Sequence, residues 1–264
     1  MSIRLAIHGA AGRMGQRLVA LSTADKDFQL VAAWDAPGHP RLDQDAGTLA
    51  GVGALGVPMT VAAGADVDVA IDFSTPDGAM AALDLCVREK IPLVIATTGM
   101  EREQQERIAT AAKHSAILWA PSMSLAVNLA MKLTAVAAEA LKDHPSGADV
   151  EIIERHHRFK EDSPSGTALK FGQIVASIMG QHEARHGREG RPGVRPHGEI
   201  GYHAVRVGDN PGEHTIIYGL LGETLEINVK ATNRDCYAHG ALAAAKFLVG
   251  QPAGLYNMND VLGI

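Results

Sequence analysis

The amino-acid sequence predicts an α/β protein whose first part is a doubly wound parallel sheet and whose second part is an α+β domain. Up to about residue 120, short runs that are apolar on both faces alternate with helical patterns, as in a parallel sheet covered by helices. After Pro121 the alternation gives way to a long helix and then several strand-like runs. We therefore place a domain boundary near residue 124.

The elements of the first part follow from hydrophobic periodicity. Strands are predicted at 3–8, 30–34, 67–74, 91–99 and 116–120. Helices are predicted over 14–21, from Pro76 onward with Thr75 as its cap, and over 101–113.

The second part is predicted to be an α+β domain. Its predicted elements are a helix over about 124–141, a strand at 149–157, a helix over 165–179, a long loop over 180–198, and strands near 200–207, 213–220 and 223–231. A last helix, "YAHGALAAAKFLVG", needs a partner and is expected to pack on the first domain. The expected domains are therefore residues 1–124 completed by 235–264, and residues 125–234.

Composition excludes several classes of function. Hydrophobic residues make up 46% of the 264 residues, which is enough for a core without disulfides, and the net charge of −6 argues against nucleic acid or an anionic membrane as partner. Cys86 and Cys236 have no metal or redox spacing and are typical of reduced thiols in a cytosolic protein. The N-terminus lacks a signal-peptide layout, and polar residues interrupt the apolar stretch 117–141. We expect a cytoplasmic protein without a membrane span.

A glycine-rich turn, "HGAAGRMG", follows the first predicted strand and opens the first predicted helix. It contains Gly9, Gly12 and Gly15 at intervals of three, and Asp35 ends the next strand 20 positions after Gly15. In this context glycines let the backbone approach a pyrophosphate, the helix N-terminus supplies N–H groups, and the acidic residue binds ribose hydroxyls. The turn predicts a dinucleotide site; the alternative is an ordinary tight β–α turn.

Asp35 also bears on the choice of nicotinamide cofactor. A carboxylate at this place repels a 2′-phosphate, so NADH is favoured. No arginine follows Asp35 directly, but Arg13, His39 and Arg41 could come near the phosphate, so NADPH stays open.

Two further loops are candidates to flank the cofactor. The segments "ATTG" at 96–99 and "APSM" at 120–123 each end a predicted parallel strand. Ligands bind at the carboxyl ends of strands in this architecture. The alternative is that both are plain connecting loops.

Candidate catalytic and binding side chains are most concentrated in one segment, "ERHHRFKEDSPSGTALK" at residues 154–170. Neighbouring side chains of a strand point to opposite faces, so His156 and His157 can share a site only if the strand ends there. The charged residues that follow favour such an end.

A helix is predicted to begin shortly after the paired histidines. Ser165 offers a cap, and Gly166 and Thr167 would present free N–H groups in the first turn. With Lys160 these groups form a carboxylate site, and a histidine beside it can donate a proton near neutral pH. This predicts a reductase site for an acidic substrate; the alternative is a solvated loop before a well-capped helix.

The segment "EIIERHHRFKEDSPSGTAL" resembles the signature of the dihydrodipicolinate reductase family of lysine and diaminopimelate biosynthesis. The motifs "GAAGRMG", "IDFSTP", "TTG", "APSMSLAVN" and "GEIGYHAVRVGDNPGEHT" are similar to that family too, in order along nearly the whole chain. The resemblance implies a Rossmann domain completed by the C-terminal tail, and a central α+β domain with a mixed sheet that binds substrate and builds a homotetramer. The implied reaction is NAD(P)H-dependent reduction of 4-hydroxy-tetrahydrodipicolinate, a cyclic dicarboxylate, to tetrahydrodipicolinate.

The resemblance also implies roles for single residues. His156 matches the family's proton donor or acceptor, Lys160 matches its second proton donor or substrate anchor, and which of them delivers the proton stays open. The implied binders of the substrate carboxylates are His157, Gly166 and Thr167. The implied cofactor-binding residues are Gly9, Ala10, Ala11, Gly12, Arg13, Met14, Asp35, Ala96, Thr97, Thr98, Ala120, Pro121, Ser122 and Met123. No metal ligand is implied.

Three residues depart from the family pattern. Ala96 stands where glycine is usual, Met123 where an aromatic residue is common, and Ala36 where an arginine often follows the acidic residue. The last departure is the one that leaves NADPH use open.

Other functions compete with this interpretation. "HEARH" at 182–186 matches the H-E-x-x-H zinc motif, but it lies between glycines without apolar periodicity and lacks a convincing third ligand. The dense His/Lys segment disfavours a dinucleotide-binding regulator, and "SPSGTA" beside paired histidines disfavours an aspartate or homoserine dehydrogenase-like enzyme. The remaining histidines are expected to be surface or structural residues, with His214 a candidate for a subunit interface.

Overall fold

The structure, a computed structural model, describes residues 2–63 and 66–264. The chain divides into two compact units. The first unit runs as far as Leu125 and resumes at Asp235, and the second spans Ala126–Arg234. Each unit has its own sheet and its own core.

The first unit contains a sheet of seven strands that are parallel throughout. Its strands are β1 (Ile3–His8), β2 (Phe28–Asp35), β3 (Met59–Val61), β4 (Val69–Asp72), β5 (Leu93–Ile95), β6 (Ala116–Trp119) and β12 (Gly254–Tyr256). Their order is β12-β6-β5-β4-β1-β2-β3. The chain changes direction across the sheet between β1 and β4, and in such sheets ligands bind outside the carboxyl ends of the strands at that point.

Helices cover both faces of this sheet. They are α1 (Arg13–Ala24), α2 (Ala46–Ala50), α3 (Pro76–Glu89), α4 (Arg102–Ala111), α7 (Asp235–Leu248) and α8 (Met258–Leu262). Alternate residues of β1 enter two different cores, because side chains of a strand alternate between faces. Leu5 and Ile7 pack with α1 and α7, whereas Ala6 packs with α3 and α4. This arrangement confirms the predicted doubly wound α/β class.

The sequence pattern missed the shortest elements of this unit, α2, β3, β12 and α8. Each is three to five residues long, which is too short to establish a period. The segment 91–99, predicted as a strand that ends in a loop, contains β5, and the loop takes up residues 96–99. The predicted cap is confirmed: the Thr75 side chain accepts a hydrogen bond from the Gly78 N–H at 3.2 Å.

The second unit is a mixed five-stranded sheet with helices packed on it. Its elements are α5 (Leu125–Leu141), β7 (Asp149–His156), α6 (Gly166–Met179), β8 (Glu183–His186), β9 (Glu199–Arg206), β10 (Glu213–Leu220) and β11 (Glu223–Lys230). In the order β11-β10-β7-β9-β8, β10 is antiparallel to both neighbours and the other pairs are parallel. Side chains of β7 and β10 pack with those of α5 and α6 in a single core, as an α+β domain requires.

Residues 183–186 form a strand inside the segment 180–198, which was predicted to be a loop. Residues 183–186 pair with β9 as the edge strand β8. The H-E-x-x-H motif needs a helix to bring its two histidines to one face, and no helix forms here. Among the described residues, no group of three or more histidine, cysteine, aspartate or glutamate side chains could hold a metal ion.

None of the helices in the described part of the chain has the length and apolar character needed to cross a membrane.

Candidate active site

The glycine turn between β1 and α1 is closely packed. Gly9 has a φ of 75°, and a Cβ there would collide with the Phe73 carbonyl oxygen. A Cβ on Gly15 would collide with the Gly9 carbonyl, so only glycine lets α1 begin this close to the turn. The N–H groups of Arg13 and Met14, in the first turn of α1, have no acceptor among the described residues. Such amides and the helix dipole favour an anion.

Asp35 joins the end of β2 to this turn. One carboxylate oxygen accepts a hydrogen bond from the Ala11 N–H at 2.9 Å, and the other accepts one from the Ala36 N–H at 2.8 Å. The Arg41 guanidinium donates to the Ala11 carbonyl at 3.3 Å. Arg41 therefore lies beside the turn, where the sequence analysis allowed it.

A cavity of about 480 Å³ opens at the carboxyl ends of the first unit's strands. It is lined by eight of the predicted cofactor residues: Arg13, Met14, Ala96, Thr97, Thr98, Pro121, Ser122 and Met123. The other predicted cofactor residues, Gly9 to Gly12, Asp35 and Ala120, do not line it. The sequence analysis missed Phe73, Ser74 and Tyr237 in its wall. Phe73 and Ser74 follow β4 and could have been predicted, because ligands bind at the carboxyl ends of parallel strands. Tyr237 lies on α7, and nothing in the sequence around it indicates a place in this cavity.

A buried carboxylate lies beneath this cavity. Asp72 is fully buried at the end of β4 and accepts hydrogen bonds from His8 Nδ1 at 2.7 Å, Ser74 Oγ at 2.6 Å and Thr97 Oγ1 at 2.5 Å. The Ser74 N–H also donates to Thr97 Oγ1 at 2.9 Å. Asp72 therefore ties together the ends of β1, β4 and β5. His8 is a structural residue, as expected.

In the second unit, β7 ends at His156, so His157 lies in the following loop. Glu154 and His156 are both buried and lie on the same face of the strand. Their Oε2 and Nδ1 atoms are 2.5 Å apart. Burial lowers the pKa of His156 from its ordinary value and outweighs the opposing effect of Glu154. Burial alone would raise the pKa of Glu154, but Arg206 and His156 together lower it.

His214 extends this cluster from β10. Its Nε2 lies 3.1 Å from Ser165 Oγ, and its ring meets the His156 ring edge to face at 5.2 Å. Burial, and secondarily the charge of His156, lower the pKa of His214 to about 4. His214 is 5% exposed within its own unit, so its assignment to a subunit interface was wrong.

The start of α6 follows His156 by ten residues in the chain and lies next to His214 in space. Ser165 caps the helix by accepting from the Ala168 N–H at 3.2 Å. The N–H groups of Gly166 and Thr167 have no acceptor in the part of the chain that the structure describes, so they can bind an anion. These amides match the position in which the sequence predicted carboxylate binding.

Lys160 and His157 occupy the loop between β7 and α6. The Lys160 amine lies 2.7 and 2.9 Å from the two carboxylate oxygens of Asp162, and this contact lowers the pKa of Asp162. His157 Nδ1 is buried without a hydrogen-bond partner among the described residues. A buried polar atom without a partner is uncommon and is consistent with a ligand that completes it.

Three residues of the cluster were missed from the sequence: Glu154, Arg206 and His214. Glu154 was accessible, because it stands two positions before His156 and so shares its face of a strand. Arg206 pairs in register with His156, and His214 pairs in register with Glu154. Only the strand order brings these last two residues to the site.

The comparisons with known proteins cover both units. Models for the N-terminus and the C-terminus of dihydrodipicolinate reductase match residues 3–123 and 126–262. The chain belongs to the dihydrodipicolinate reductase family. The resemblance predicted from the motifs is confirmed, and the chain is an NAD(P)H-dependent oxidoreductase.

Relatives within the family are similar over their full length. The chain is 53% identical to the 4-hydroxy-tetrahydrodipicolinate reductase of Rhodopirellula baltica, over 99% of this chain and 96% of that protein. It is 46% identical to the enzyme of that name from Methylococcus capsulatus, over 100% and 99% of the two chains. The solved structure of dipicolinate-bound dihydrodipicolinate reductase from Paenisporosarcina sp. TG-14 has a TM-score of 0.78 and 27% identity, covering 98% of this chain and 99% of that one.

Proposed function

We propose that this chain reduces 4-hydroxy-tetrahydrodipicolinate to tetrahydrodipicolinate in diaminopimelate and lysine biosynthesis. Full-length similarity to reductases of that name supports the proposal. The observation that carries it is the buried Glu154–His156 pair beside a helix start with unpaired N–H groups. The histidine of this pair can donate a proton to a substrate whose carboxylates are held by the N–H groups of the helix start.

His156 is the proposed proton donor, and Lys160 is a substrate anchor. The Glu154 carboxylate at Nδ1 favours the imidazolium form of His156, which offsets part of the effect of burial, and it leaves Nε2 for proton transfer. Lys160, His157 and the N–H groups of Gly166 and Thr167 bind the two substrate carboxylates. Asp162, which holds the Lys160 amine in this structure, gives up part of that contact when a substrate carboxylate binds.

The first unit is proposed to bind the cofactor. A pyrophosphate fits the turn for two reasons. The backbone packs closely at Gly9 and Gly15, and the N–H groups of Arg13 and Met14 are free to bind an anion. NADH or NADPH, when bound, supplies the hydride. Asp35 favours NADH, and Arg41 beside the turn allows a contribution from NADPH.

We also propose a homotetramer in the cytoplasm. The second unit's strand β11 presents mostly exposed side chains, Leu225 among them, as a surface that subunits can share. The two cysteines are free, as is typical of a reducing compartment. The mass of the native protein in solution tests the assembly.

The decisive experiment is oxidation of NADH and of NADPH with the freshly prepared condensation product of pyruvate and aspartate semialdehyde. Rapid oxidation is expected with at least one cofactor, and the His156→Ala variant serves as the control for non-enzymatic loss. A protein that binds both cofactors but oxidises neither would overturn the proposed substrate.

A further inference from the structure

Glu154 is a carboxylate at the centre of the second unit's polar cluster. Its side chain is 1% exposed, and it receives hydrogen bonds from three residues. The donors are His156 Nδ1 at 2.5 Å, the Ser165 N–H at 3.1 Å, and both terminal nitrogens of Arg206 at 2.8 and 2.9 Å. A carboxylate is this deeply buried only when it is paired and its lone pairs are used.

The two oxygens of Glu154 serve two different parts of the proposed site. Oε2 faces His156, the proposed proton donor. Oε1 accepts from the backbone N–H of Ser165, the cap residue of α6, and so fixes the point at which that helix begins. The free N–H groups that follow Ser165 are the proposed carboxylate binders.

Arg206 holds this carboxylate from the neighbouring strand. Its guanidinium is bidentate on Glu154 and also donates to the Asp162 carbonyl at 2.7 Å. Asp162 is the residue that holds the Lys160 amine. Through Arg206, Glu154 is therefore connected to the loop that carries the proposed substrate anchor.

The free nitrogen of His156 faces a glycine. A Cβ on Gly212 would stand 3.0 Å from His156 Nε2, and Gly212 has a φ of 150° that favours glycine. With Nδ1 engaged by Glu154, Nε2 is the ring atom that can exchange a proton with a ligand.

We propose that Glu154 is a positioning residue that fixes the tautomer of His156 and, through the same carboxylate, the helix start that binds the substrate. This inference rests on the proposed function. The cofactor's hydride leaves a basic atom on the substrate, and a bond from this atom to the Nε2 proton forms as the Nε2–H bond of the imidazolium breaks. The neutral ring keeps its proton on Nδ1 and donates it in a hydrogen bond to Glu154. Solvent then returns a proton to Nε2, so no oxidant or further reactant is needed.

Glu154→Gln tests this inference with little change in shape. The glutamine amide N–H donates to Nδ1 instead of accepting from it, so neutral His156 should carry its proton on Nε2. The ¹⁵N chemical shifts of the His156 ring, assigned by comparison with His156→Gln, measure this tautomer directly. At a pH above the pKa of His156, we expect the ring proton to be on Nδ1 in the unsubstituted protein. In Glu154→Gln we expect it to be on Nε2.

Kinetics supply the second readout. Loss of the carboxylate removes an effect that raises the pKa of His156, so the loss of kcat/KM at high pH should begin at lower pH in Glu154→Gln. We expect kcat to fall by roughly 10- to 100-fold and the KM for the dicarboxylate to rise, with the KM for NADH unchanged.

Glu151→Gln is the matched control. Glu151 lies on the same strand but the opposite face, and it too contacts a histidine, His203, at 2.7 Å and two arginines. The pH profile of Glu151→Gln should keep the shape of the unsubstituted enzyme's profile. An equal shift in both variants would overturn the positioning role of Glu154.

The outcomes separate this inference from the proposed function. Protonated Nε2 in neutral His156 of the unsubstituted protein would overturn the inference, even if no Glu154 variant folds. An unchanged tautomer and pH profile in Glu154→Gln would overturn it too. A changed tautomer with unchanged kcat would uphold the positioning of His156 and contradict its proposed role as proton donor.

Discussion

Each unit holds a histidine against a buried carboxylate at a strand end, but the two pairs have different surroundings. His8 Nδ1 lies 2.7 Å from Asp72, and His156 Nδ1 lies 2.5 Å from Glu154. The other hydrogen bonds described for the Asp72 carboxylate come from hydroxyls of Ser74 and Thr97. Glu154 instead meets the guanidinium of Arg206.

This difference indicates what each pair does. The Asp72 cluster joins strand ends that carry the loops of the proposed cofactor cavity, and it positions backbone. The Glu154 cluster places a cation and a backbone N–H on one carboxylate and a second histidine beside the His156 ring, and we propose that it controls the protonation of that ring. A histidine–carboxylate pair therefore indicates proton transfer only when its surroundings also control charge.

The largest expected difference between the pairs is in turnover. His156→Ala should lower kcat by roughly 10²- to 10⁴-fold, the usual contribution of a general acid. The dissociation constant for NADH, measured by fluorescence quenching, should stay the same because the proposed cofactor-binding residues belong to the other unit. His8→Ala should lower kcat less than tenfold; a loss as large as that of His156→Ala would erase the distinction.

Asp72→Asn should act on stability and cofactor binding. The amide cannot accept from all three donors that now share the carboxylate, and a buried unsatisfied donor costs about 1–3 kcal/mol. Urea denaturation should show a loss of that size, with weaker NADH binding and an unchanged pH profile of kcat/KM. Asp143→Asn, at an exposed aspartate in the turn after α5, is the control and should stay within about 0.5 kcal/mol. A stability loss no larger than the control's would contradict the role of Asp72.

The pH dependence of unfolding tests the lowered pKa of His214, the buried histidine beside His156 in the Glu154 cluster. Burial lowers the pKa of His214 to about 4 in the folded protein, from an ordinary value of 6.5. Protons therefore bind the unfolded chain more tightly, and stability is lost as pH falls from 6.5 towards 4. Between pH 7 and pH 5 this residue should remove ~2 kcal/mol from the free energy of unfolding. His214→Gln should show a smaller loss over that interval; an identical loss would contradict the assignment.

The smallest expected effect concerns cofactor choice and is confined to the first unit. Arg41→Ala should lower the ratio of kcat/KM for NADPH to that for NADH by up to about fivefold, the usual range for an exposed ion pair. Ala36→Arg should raise the same ratio by a similar factor. Steady-state rates with both cofactors measure it, and neither change should alter the pH dependence assigned to His156. A ratio unaffected by both variants would contradict a part for Arg41, and for the residue at position 36, in cofactor selection.

Much of the fold was predictable because its signals are local. The glycine turn, the Thr75 cap and the strand ending at His156 are each encoded within a few residues. The cluster around Glu154 was only partly predictable. The position of Glu154 follows from strand alternation, because it lies two residues before His156. Arg206 comes from β9, which is parallel to β7, and His214 comes from β10, which is antiparallel to it, and no local pattern encodes either pairing. The edge strand β8 was missed because its side chains are exposed and show no apolar alternation.

The pairing of β12 with β6 has a consequence for how the protein is made. β6 belongs to the first half of the chain, whereas β12 and α7 come from its last residues, 235–264. During synthesis on the ribosome, the edge of the first sheet at β6 therefore stays unpaired until the whole of the second unit has emerged. The apolar face that α7 covers stays exposed for the same time. The second unit's chain is continuous and can fold during that delay, so one sheet is completed by two segments that lie on either side of another folded unit in the chain.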